Sequence, residues 1–357
     1  MDTVVLLGPN LATISGISTH LNHLLSSRLA REYRLLHFQV GSEGRRESFV
    51  DRLLRYAVSP YQFWSFLRRN RPTIVHINTA MVPKAYWRDL AYVAVSKSVG
   101  SKVIYQVHGG SAPLEFFRAR RLPTAFLKAT LRMSDAIVLL SEIDRRDYLA
   151  FDPGLPLRVV PNAIEMVESS VRKTRRPEVP LRLVYIGRLV SAKGIFEVVE
   201  ALALLRAEGI DANMVFAGSG EDEQRLRARV NELGLDDRVE FRGVVSGRDK
   251  DALWEASDVF VFPSHREGLP YALLESMAAR TVPVVCPVGA IPEVMQDGRE
   301  GLFVPPNDPV RLADAIRHLH ENRAALDVLG EAGRSRVAAR YTVNRLADAF
   351  EKIYQEI

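Results

Sequence analysis

The chain has 357 residues, 47% of them apolar and 25% charged, which is the balance of a soluble globular protein. At about 150 residues per domain it holds about two domains, and a chain this long buries enough surface to need no disulfide or metal staple. The single cysteine, Cys286, excludes a disulfide framework and a multi-cysteine zinc site. No stretch approaches about 18 consecutive apolar residues, which excludes a transmembrane helix.

Net charge is +5, but unevenly spread. Residues 1–176 carry 26 Lys and Arg against 14 Asp and Glu, a net of +12, and the remainder carries 22 against 29, a net of −7. A basic half joined to an acidic half predicts two domains with different partners, the basic one facing an anionic substrate, an anionic membrane or nucleic acid. No nucleic-acid motif accompanies the charge, so nucleic acid is not an expected partner.

The N-terminal MDTVVLLGPN has no positive n-region and reads as a first strand, which predicts a cytoplasmic protein. Apolar runs then recur at Thr3–Leu7, Leu35–Val40, Ile74–Ile77, Lys102–Gln106, Ala136–Leu140 and Arg158–Val160. A second set follows at Arg182–Ile186, Asn213–Ala217, Val239–Arg242, Val259–Phe262, Pro283–Cys286 and Gly301–Val304. Short β-branched runs alternating with helical stretches predict an α/β chain of two doubly wound, Rossmann-like domains facing each other. The first spans 1–166, a polar, basic linker ending in proline spans 167–180, and the second spans 181–340. A last helix, 341–357, carries the stripe Leu346, Ala349, Phe350, Ile353 and Tyr354, and its place in the chain allows it to cross back onto the first domain.

Ligands of open α/β sheets bind at the carboxyl ends of strands, so the loops there carry the chemistry. After the first strand, Gly16 precedes a helix expected to start around Ile17–Ser18, where its backbone can approach an anion or simply turn the chain. After the fourth, His108 is followed by Gly109 and Gly110, whose lack of side chains leaves the imidazole open to a ligand; a structural hydrogen bond is the alternative role. The second half opens with Gly187-Arg188-Leu189-Val190-Ser191-Ala192-Lys193-Gly194, in which two cations bracket a strand-end turn and suit a diphosphate. Gly218 and Gly220 mark another strand-end turn fit for close backbone approach. The sharpest segment, Pro263–Ala278, follows an apolar strand; Pro270 near the first helical position predicts a helix start where the backbone of Gly268 and Leu269 faces an anion. Glu267 lies before that helix and Glu275 within it, too far apart for an acid–base dyad. A carboxylate beside a diphosphate needs hydroxyl donors in compensation, which a sugar supplies, unless Glu267 only stabilises the helix start.

Together these motifs, with PNAIE at Pro161–Glu165 and EGLFVPPNDP at Glu300–Pro309, resemble the retaining glycosyltransferases of family 4, of the bacterial polysaccharide-assembly type and the GT-B fold. The match runs in order along nearly the whole chain, with Ala163 where the family usually has glycine. The resemblance implies that Arg188 and Lys193 hold the diphosphate of a nucleotide-sugar donor, with Gly16 contacting it from the other domain. It implies that Glu275 takes the ribose hydroxyls, Glu267 takes hydroxyls of the transferred sugar, Gly268 and Leu269 give backbone donors, and His108 and Gly109 face the sugar. Gly218 and Gly220 fall in the donor site and Val244 near the base. The implied activity is retaining and metal-independent, with no cofactor beyond the donor, because cations and helix termini neutralise the leaving diphosphate; no DxD-like cluster accompanies the donor motifs. The acceptor implied is a saccharide or lipid-linked saccharide.

The alternatives are a GT-B sugar-nucleotide epimerase, which the E-x7-E spacing disfavours, a phosphorylase, for which no pyridoxal-phosphate lysine is evident, and a non-catalytic nucleotide-sugar or membrane-binding module, which intact Arg188, Lys193, Glu267 and Glu275 disfavour. Two stretches of the basic half interleave cations with large rings. One has Arg52, Arg55, Arg68 and Arg69 around Tyr56, Phe63, Trp64 and Phe66; the other has Phe116, Phe117, Arg118, Arg120, Arg121, Phe126, Lys128 and Arg132. Such surfaces lie in the headgroup layer of an anionic bilayer, unless the rings pack on the sheet. A peripheral place on the inner face of the plasma membrane is the corresponding expectation.

Overall fold

A computed structural model describes residues 1–41, 48–117, 121–166 and 179–357. Two six-stranded sheets account for the strands, and all their pairings are parallel. The first holds β1 (Thr3–Gly8), β2 (Arg34–Gln39), β3 (Ile74–Met81), β4 (Lys102–Gly110), β5 (Ala136–Leu139) and β6 (Leu157–Val159), in the order β2-β1-β3-β4-β5-β6. The second holds β7 (Leu181–Ile186), β8 (Ala212–Ala217), β9 (Val239–Gly243), β10 (Val259–Phe262), β11 (Val282–Val285) and β12 (Leu302–Phe303), in the order β12-β11-β10-β7-β8-β9. Strands of a parallel sheet are covered on both faces, which explains why β1, β5, β10 and β11 are unbroken apolar runs buried almost throughout. Each sheet reverses its winding once, between β1 and β3 in the first and between β7 and β10 in the second. A crevice opens at each such reversal.

The chain divides into two compact units, residues Met1–Glu165 with Val343–Ile357, and Met166–Thr342. The segment expected as a linker, 167–180, lies outside the described residues except for its last two.

Three local expectations are corrected. The helix after β1 starts at Gly16, earlier than expected, because Ser15 caps it by accepting from the Ser18 N–H at 3.3 Å. Strand β4 does not end at Gln106 but continues through His108 to Gly110, because β3 also runs on and Met81 pairs with Gly110 after a register shift. Gly110 has φ +116, and a Cβ there would meet the Met81 carbonyl oxygen at 2.3 Å, so only glycine allows this extension. Pro270 is the cap of the helix Tyr271–Ala278 and not its first residue. Ala163, where the related pattern has glycine, is buried and has no positive φ, so alanine fits this turn without strain.

The C-terminal helix, Val343–Glu356, packs on the first sheet. Leu346, Ala347, Phe350, Ile353 and Tyr354 are buried with Val4, Leu6, Leu21, Leu24, Ile104 and Val138. Ala347 takes the fully buried place expected of Ala349, which is only partly covered. Beneath Phe350 lie two fully buried imidazoles, His20 at 5.7 Å and His76 at 4.9 Å between ring centroids. The Tyr354 hydroxyl lies 3.1 Å from His76 Nδ1, and Gln106 Oε1 lies 2.8 Å from His76 Nε2. Burial pushes the His76 pKa down to about 4. It holds His20 well below the ordinary histidine range, with neighbouring His108 adding to the effect.

Two outcomes follow for stability. Phe350→Ala should destabilise the first unit by about 3–5 kcal/mol, the usual penalty for emptying an aromatic site in a core. An unchanged denaturation midpoint for that unit would show that the helix is not part of its fold. The buried histidines stay neutral when folded but bind protons near pH 6.5 when unfolded, so the unfolded state takes up more protons as pH falls. The His76 contribution is full above about pH 6.5 and declines toward about pH 4, by up to about 1.4 kcal/mol per pH unit, and that of His20 falls in the same direction. Urea titrations of the first unit at about pH 7.5 and about pH 5 should therefore differ, with the lower pH less stable; equal midpoints would contradict this.

Candidate active site

The reversal between β7 and β10 places two loops side by side. The first, Gly187–Gly194, leaves β7 and turns through a 3-10 segment at Ser191–Lys193 before the helix Ile195–Ala207. Gly194 has φ +74, and a Cβ there would lie 2.3 Å from the Pro263 carbonyl oxygen, so the loop is pressed against the end of β10 by a glycine. The buried Tyr185 on β7 donates its hydroxyl to the Arg188 carbonyl at 2.6 Å and pins the turn that carries this cation. Asp222 closes the loop from the other side, accepting from the Ser191 N–H at 2.7 Å and the Ser191 hydroxyl at 2.6 Å. Those two bonds, the hydroxyl first, hold its pKa below the ordinary carboxylate value.

The second loop, Pro263–Pro270, is fixed at both ends. Its His265 N–H donates to the Ala192 carbonyl at 3.0 Å, and its Gly268 carbonyl accepts from the Ala290 N–H at 3.0 Å. His265 Nε2 lies 2.7 Å from Glu197 Oε1 on the helix after the first loop.

The two loops meet through Lys193 and Glu267, whose ammonium and carboxylate are in direct contact. Both side chains are largely covered, Lys193 at 17% and Glu267 at 10% exposure, so the pair lies in a medium where charge matters. The ammonium also sits 5.6 Å from the Phe262 ring centroid. Arg188 is exposed and makes no ion pair with a carboxylate of the described residues. The turn thus offers one cation that is already partnered and one that is not.

Glu275, inside the helix Tyr271–Ala278, does not join that pair. Its carboxylate is held by two residues of the helix Gly247–Ala256, Lys250 Nζ at 2.7 Å from Oε1 and Trp254 Nε1 at 3.3 Å from Oε2. Gly218 and Gly220 serve the packing of loops: a Cβ on Gly218 would fall 1.8 Å from the Gly187 carbonyl oxygen and one on Gly220 would fall 2.2 Å from that of Leu189. The close approach they permit is of backbone to backbone. Leu269 is buried at 4%, and Val244 stands 54% exposed just beyond β9.

In the first unit, Gly16 is exposed at the helix start. His108 is partly buried on β4, with Nε2 2.9 Å from Asn78 Oδ1 and its ring edge-to-face with His20 at 4.7 Å. Gly109 follows with φ +127. Sequence reasoning missed Tyr185, Asp222, Lys250, Trp254, Asn78 and His20. Only Lys250 and Trp254 left a sequence trace, their four-residue spacing on one helix face. Among the described residues no group of three histidine, cysteine or carboxylate side chains is arranged to hold a metal ion.

Comparison with known proteins gives this arrangement its kin. Residues 17–167 match the family model of Glycosyltransferase Family 4, and residues 166–336 match that of Glycosyl transferases group 1. The alpha-D-kanosaminyltransferase of Streptomyces kanamyceticus is 27% identical over 280 residues, which cover 74% of this chain and 72% of that one. A putative colanic acid biosynthesis glycosyltransferase of Salmonella typhimurium is 30% identical over 205 residues, 54% of this chain and only half (50%) of its own length. Among solved structures, sucrose-phosphate synthase from Thermosynechococcus elongatus superimposes with a TM-score of 0.80 at 19% identity, covering 100% of this chain and 99% of that one. Anabaena HepE, in complex with UDP-glucose, does so with a TM-score of 0.79 at 15% identity, both chains covered in full (100%). With both sheets in the GT-B arrangement and the two family models matching in succession along the chain, this protein belongs to the family 4, GT-B glycosyltransferases.

Proposed function

We propose that the protein transfers a sugar from a nucleoside-diphosphate donor to an acceptor hydroxyl with retention of anomeric configuration. The observation that carries this is the meeting of the Arg188–Lys193 turn with the Glu267 loop at the strand reversal of the second sheet. Arg188 gives the donor diphosphate a planar fork and Lys193 gives it a point charge, which stabilise the charge that grows as the sugar–phosphate bond breaks. The Lys193–Glu267 contact sets the order of events. A diphosphate competes for the ammonium, and the carboxylate it releases accepts hydrogen bonds from hydroxyls of the transferred sugar. Glu275, oriented by Lys250 and Trp254, accepts from the ribose hydroxyls. No carboxylate of this site is assigned as nucleophile. The acceptor oxygen attacks the anomeric carbon from the face the diphosphate leaves, and a phosphate oxygen takes the acceptor's proton. The reaction needs neither metal nor cofactor in this mechanism.

The complex of HepE with UDP-glucose supports a nucleotide-sugar donor of this kind, and the colanic acid biosynthesis relative supports a part in polysaccharide synthesis, for which we propose a growing or lipid-linked saccharide as acceptor. A lipid-linked acceptor calls for a membrane-facing surface, and one helix of the first unit supports that reading. The helix Phe49–Asn70 exposes Leu54 at 59%, Val58 at 44%, Tyr61 at 68% and Trp64 at 39%, beside exposed Arg68 and Arg69. Phe63, expected with them, is instead buried in the core. Arg68 sits 5.5 Å from the Trp64 ring. Rings and cations so mixed suit the headgroup layer of an anionic bilayer, where each cation adds about 1 kcal/mol. We place the protein in the cytoplasm, peripherally on the inner membrane face. Of the second basic stretch, residues 118–120 lie outside the described residues, and no helix among those described is long and apolar enough to cross a membrane.

Nucleotide release from a panel of sugar nucleotides, with and without saccharide acceptors, tests the activity; release from none of them would overturn it. Arg188→Ala and Lys193→Ala should each lower turnover about a hundredfold or more at saturating donor, since each removes a charge-assisted donor to the leaving group. Near-normal turnover in both would remove the diphosphate assignment. Glu275→Ala should raise the donor KM more than it lowers kcat, and the reverse pattern would contradict a ribose contact. For the membrane, Tyr61→Ala/Trp64→Ala and Arg68→Glu/Arg69→Glu should abolish salt-sensitive sedimentation with anionic vesicles while leaving donor hydrolysis intact. Equal sedimentation with neutral and anionic vesicles would exclude this surface.

A further inference from the structure

The contact between Lys193 and Glu267 is also a fastening between the two loops of the second unit. On the proposed function, on which this inference rests, a diphosphate competes for the ammonium and the carboxylate turns to sugar hydroxyls. The fastening is therefore given up at the step where the second loop must keep its place, since groups that act electrostatically have to be positioned beforehand.

A second fastening lies beside it. Glu197 is the third residue of the helix Ile195–Ala207, in the first turn, where the helix dipole favours a carboxylate. A glutamate at this place commonly turns back to the N–H of the cap residue. Here the cap is Gly194, whose N–H already donates to the Ser191 carbonyl at 2.9 Å. The Glu197 carboxylate reaches across to the other loop instead, with Oε1 2.7 Å from His265 Nε2. A carboxylate only accepts, so Nε2 is the donor. Both side chains are largely covered, Glu197 at 15% and His265 at 30% exposure, and the proposed donor contacts use neither.

One residue separates His265 from Glu267, so holding the ring holds the carboxylate nearly as closely. His265 is gripped twice: its N–H donates to the Ala192 carbonyl and its ring to Glu197. A loop can pivot about one bond but not about two that run to different elements. Gly289 backs the same stretch. It has φ +56, and a Cβ there would fall 2.1 Å from the Glu267 carbonyl oxygen. Such a contact limits how near the loop comes, whereas a hydrogen bond limits how far it strays. We infer that Glu197 and His265 are positioning residues, whose hydrogen bond keeps the Glu267 carboxylate in register with the diphosphate turn after the donor has taken Lys193.

Hydrogen exchange of residues 263–270, followed by mass spectrometry on the full chain, reads the fastening directly. In the wild-type protein, UDP or inorganic pyrophosphate should leave exchange in this segment unchanged or slower. In Glu197→Ala and His265→Ala the same ligands should speed it about tenfold, the worth of roughly one hydrogen bond, as Lys193 is drawn away. Glu197→Gln, whose amide oxygen still accepts from Nε2, should behave as wild type. No such speeding in the two alanine variants would overturn the inference, and so would equal speeding in wild type or in Glu197→Gln. Failure of both ligands to bind the wild-type protein would overturn the proposed donor site. The tether then stands or falls on exchange without ligand, which should be faster in Glu197→Ala than in Glu197→Gln.

Kinetics separate positioning from mere stability. With a donor that the wild-type protein turns over, Glu197→Ala should lower kcat/KM about tenfold. Affinity for the matching nucleoside diphosphate should stay within about twofold, because its proposed contacts lie on Arg188, Lys193 and Glu275. Equal losses in both, with a lower denaturation midpoint of the second unit, would mark a purely structural pair and overturn the assignment. The expected exchange pattern together with no transfer from any sugar nucleotide would overturn the transferase function while supporting the tether.

Discussion

A parallel sheet offers ligands only one edge, and only where its winding reverses does that edge lack a covering crossover. In the second unit the reversal falls between β7 and β10, and the surrounding structure serves to keep two loops in contact there. Glycines at 194, 218 and 220 stand where a Cβ would strike neighbouring backbone, so the loops stack at a distance no other residue permits. Tyr185 and Asp222 then fix the first loop, and bonds to Ala192 and from Ala290 fix the second. Preorganisation of this kind is what electrostatic catalysis requires, because charges that must first be moved into place stabilise less.

Polar burial is managed differently beneath the C-terminal helix of the first unit and at the loops of the second. In the second, opposite charges are brought together: Lys193 with Glu267, Lys250 with Glu275. In the first, the groups beneath the C-terminal helix are imidazoles, which shed their protons and pack against Phe350 and Tyr354.

Much of this architecture was legible in the sequence. Every apolar run became a strand; the central ones, β1, β5, β10 and β11, were the plainest, because a strand buried on both faces must be apolar along its length, and that pattern is local. The stripe on the last helix was legible for a similar reason, and Glu267 and Glu275, set apart by their spacing, hold different partners, Lys193 and Lys250. What escaped was set by partners far away in the chain. Asn78 meets His108 across 30 residues, and Lys250 meets Glu275 across 25. No periodicity encodes such contacts. The end of β4 was misplaced because histidine and two glycines read as a loop until Met81 on the next strand is there to pair with them. Phe63 was placed at a surface because its neighbours in sequence are basic, although helical geometry turns it inward.

The C-terminal helix has a further meaning for how the molecule is made. The first unit is built from residues Met1–Glu165 and Val343–Ile357, so its core cannot be completed when its own sheet has been synthesised. The surface of Val4, Leu6, Ile104 and Val138 that Phe350 and Ile353 cover must wait while the whole of Met166–Thr342 is translated. At about 5–20 residues per second that wait is roughly nine to thirty-five seconds, long compared with the folding of a single domain. The second unit can therefore finish before the first, reversing the order of the sequence. A ribosome that stalls within the last helix would release a chain with an intact donor unit and an unsealed apolar face, a natural substrate for chaperones and proteases.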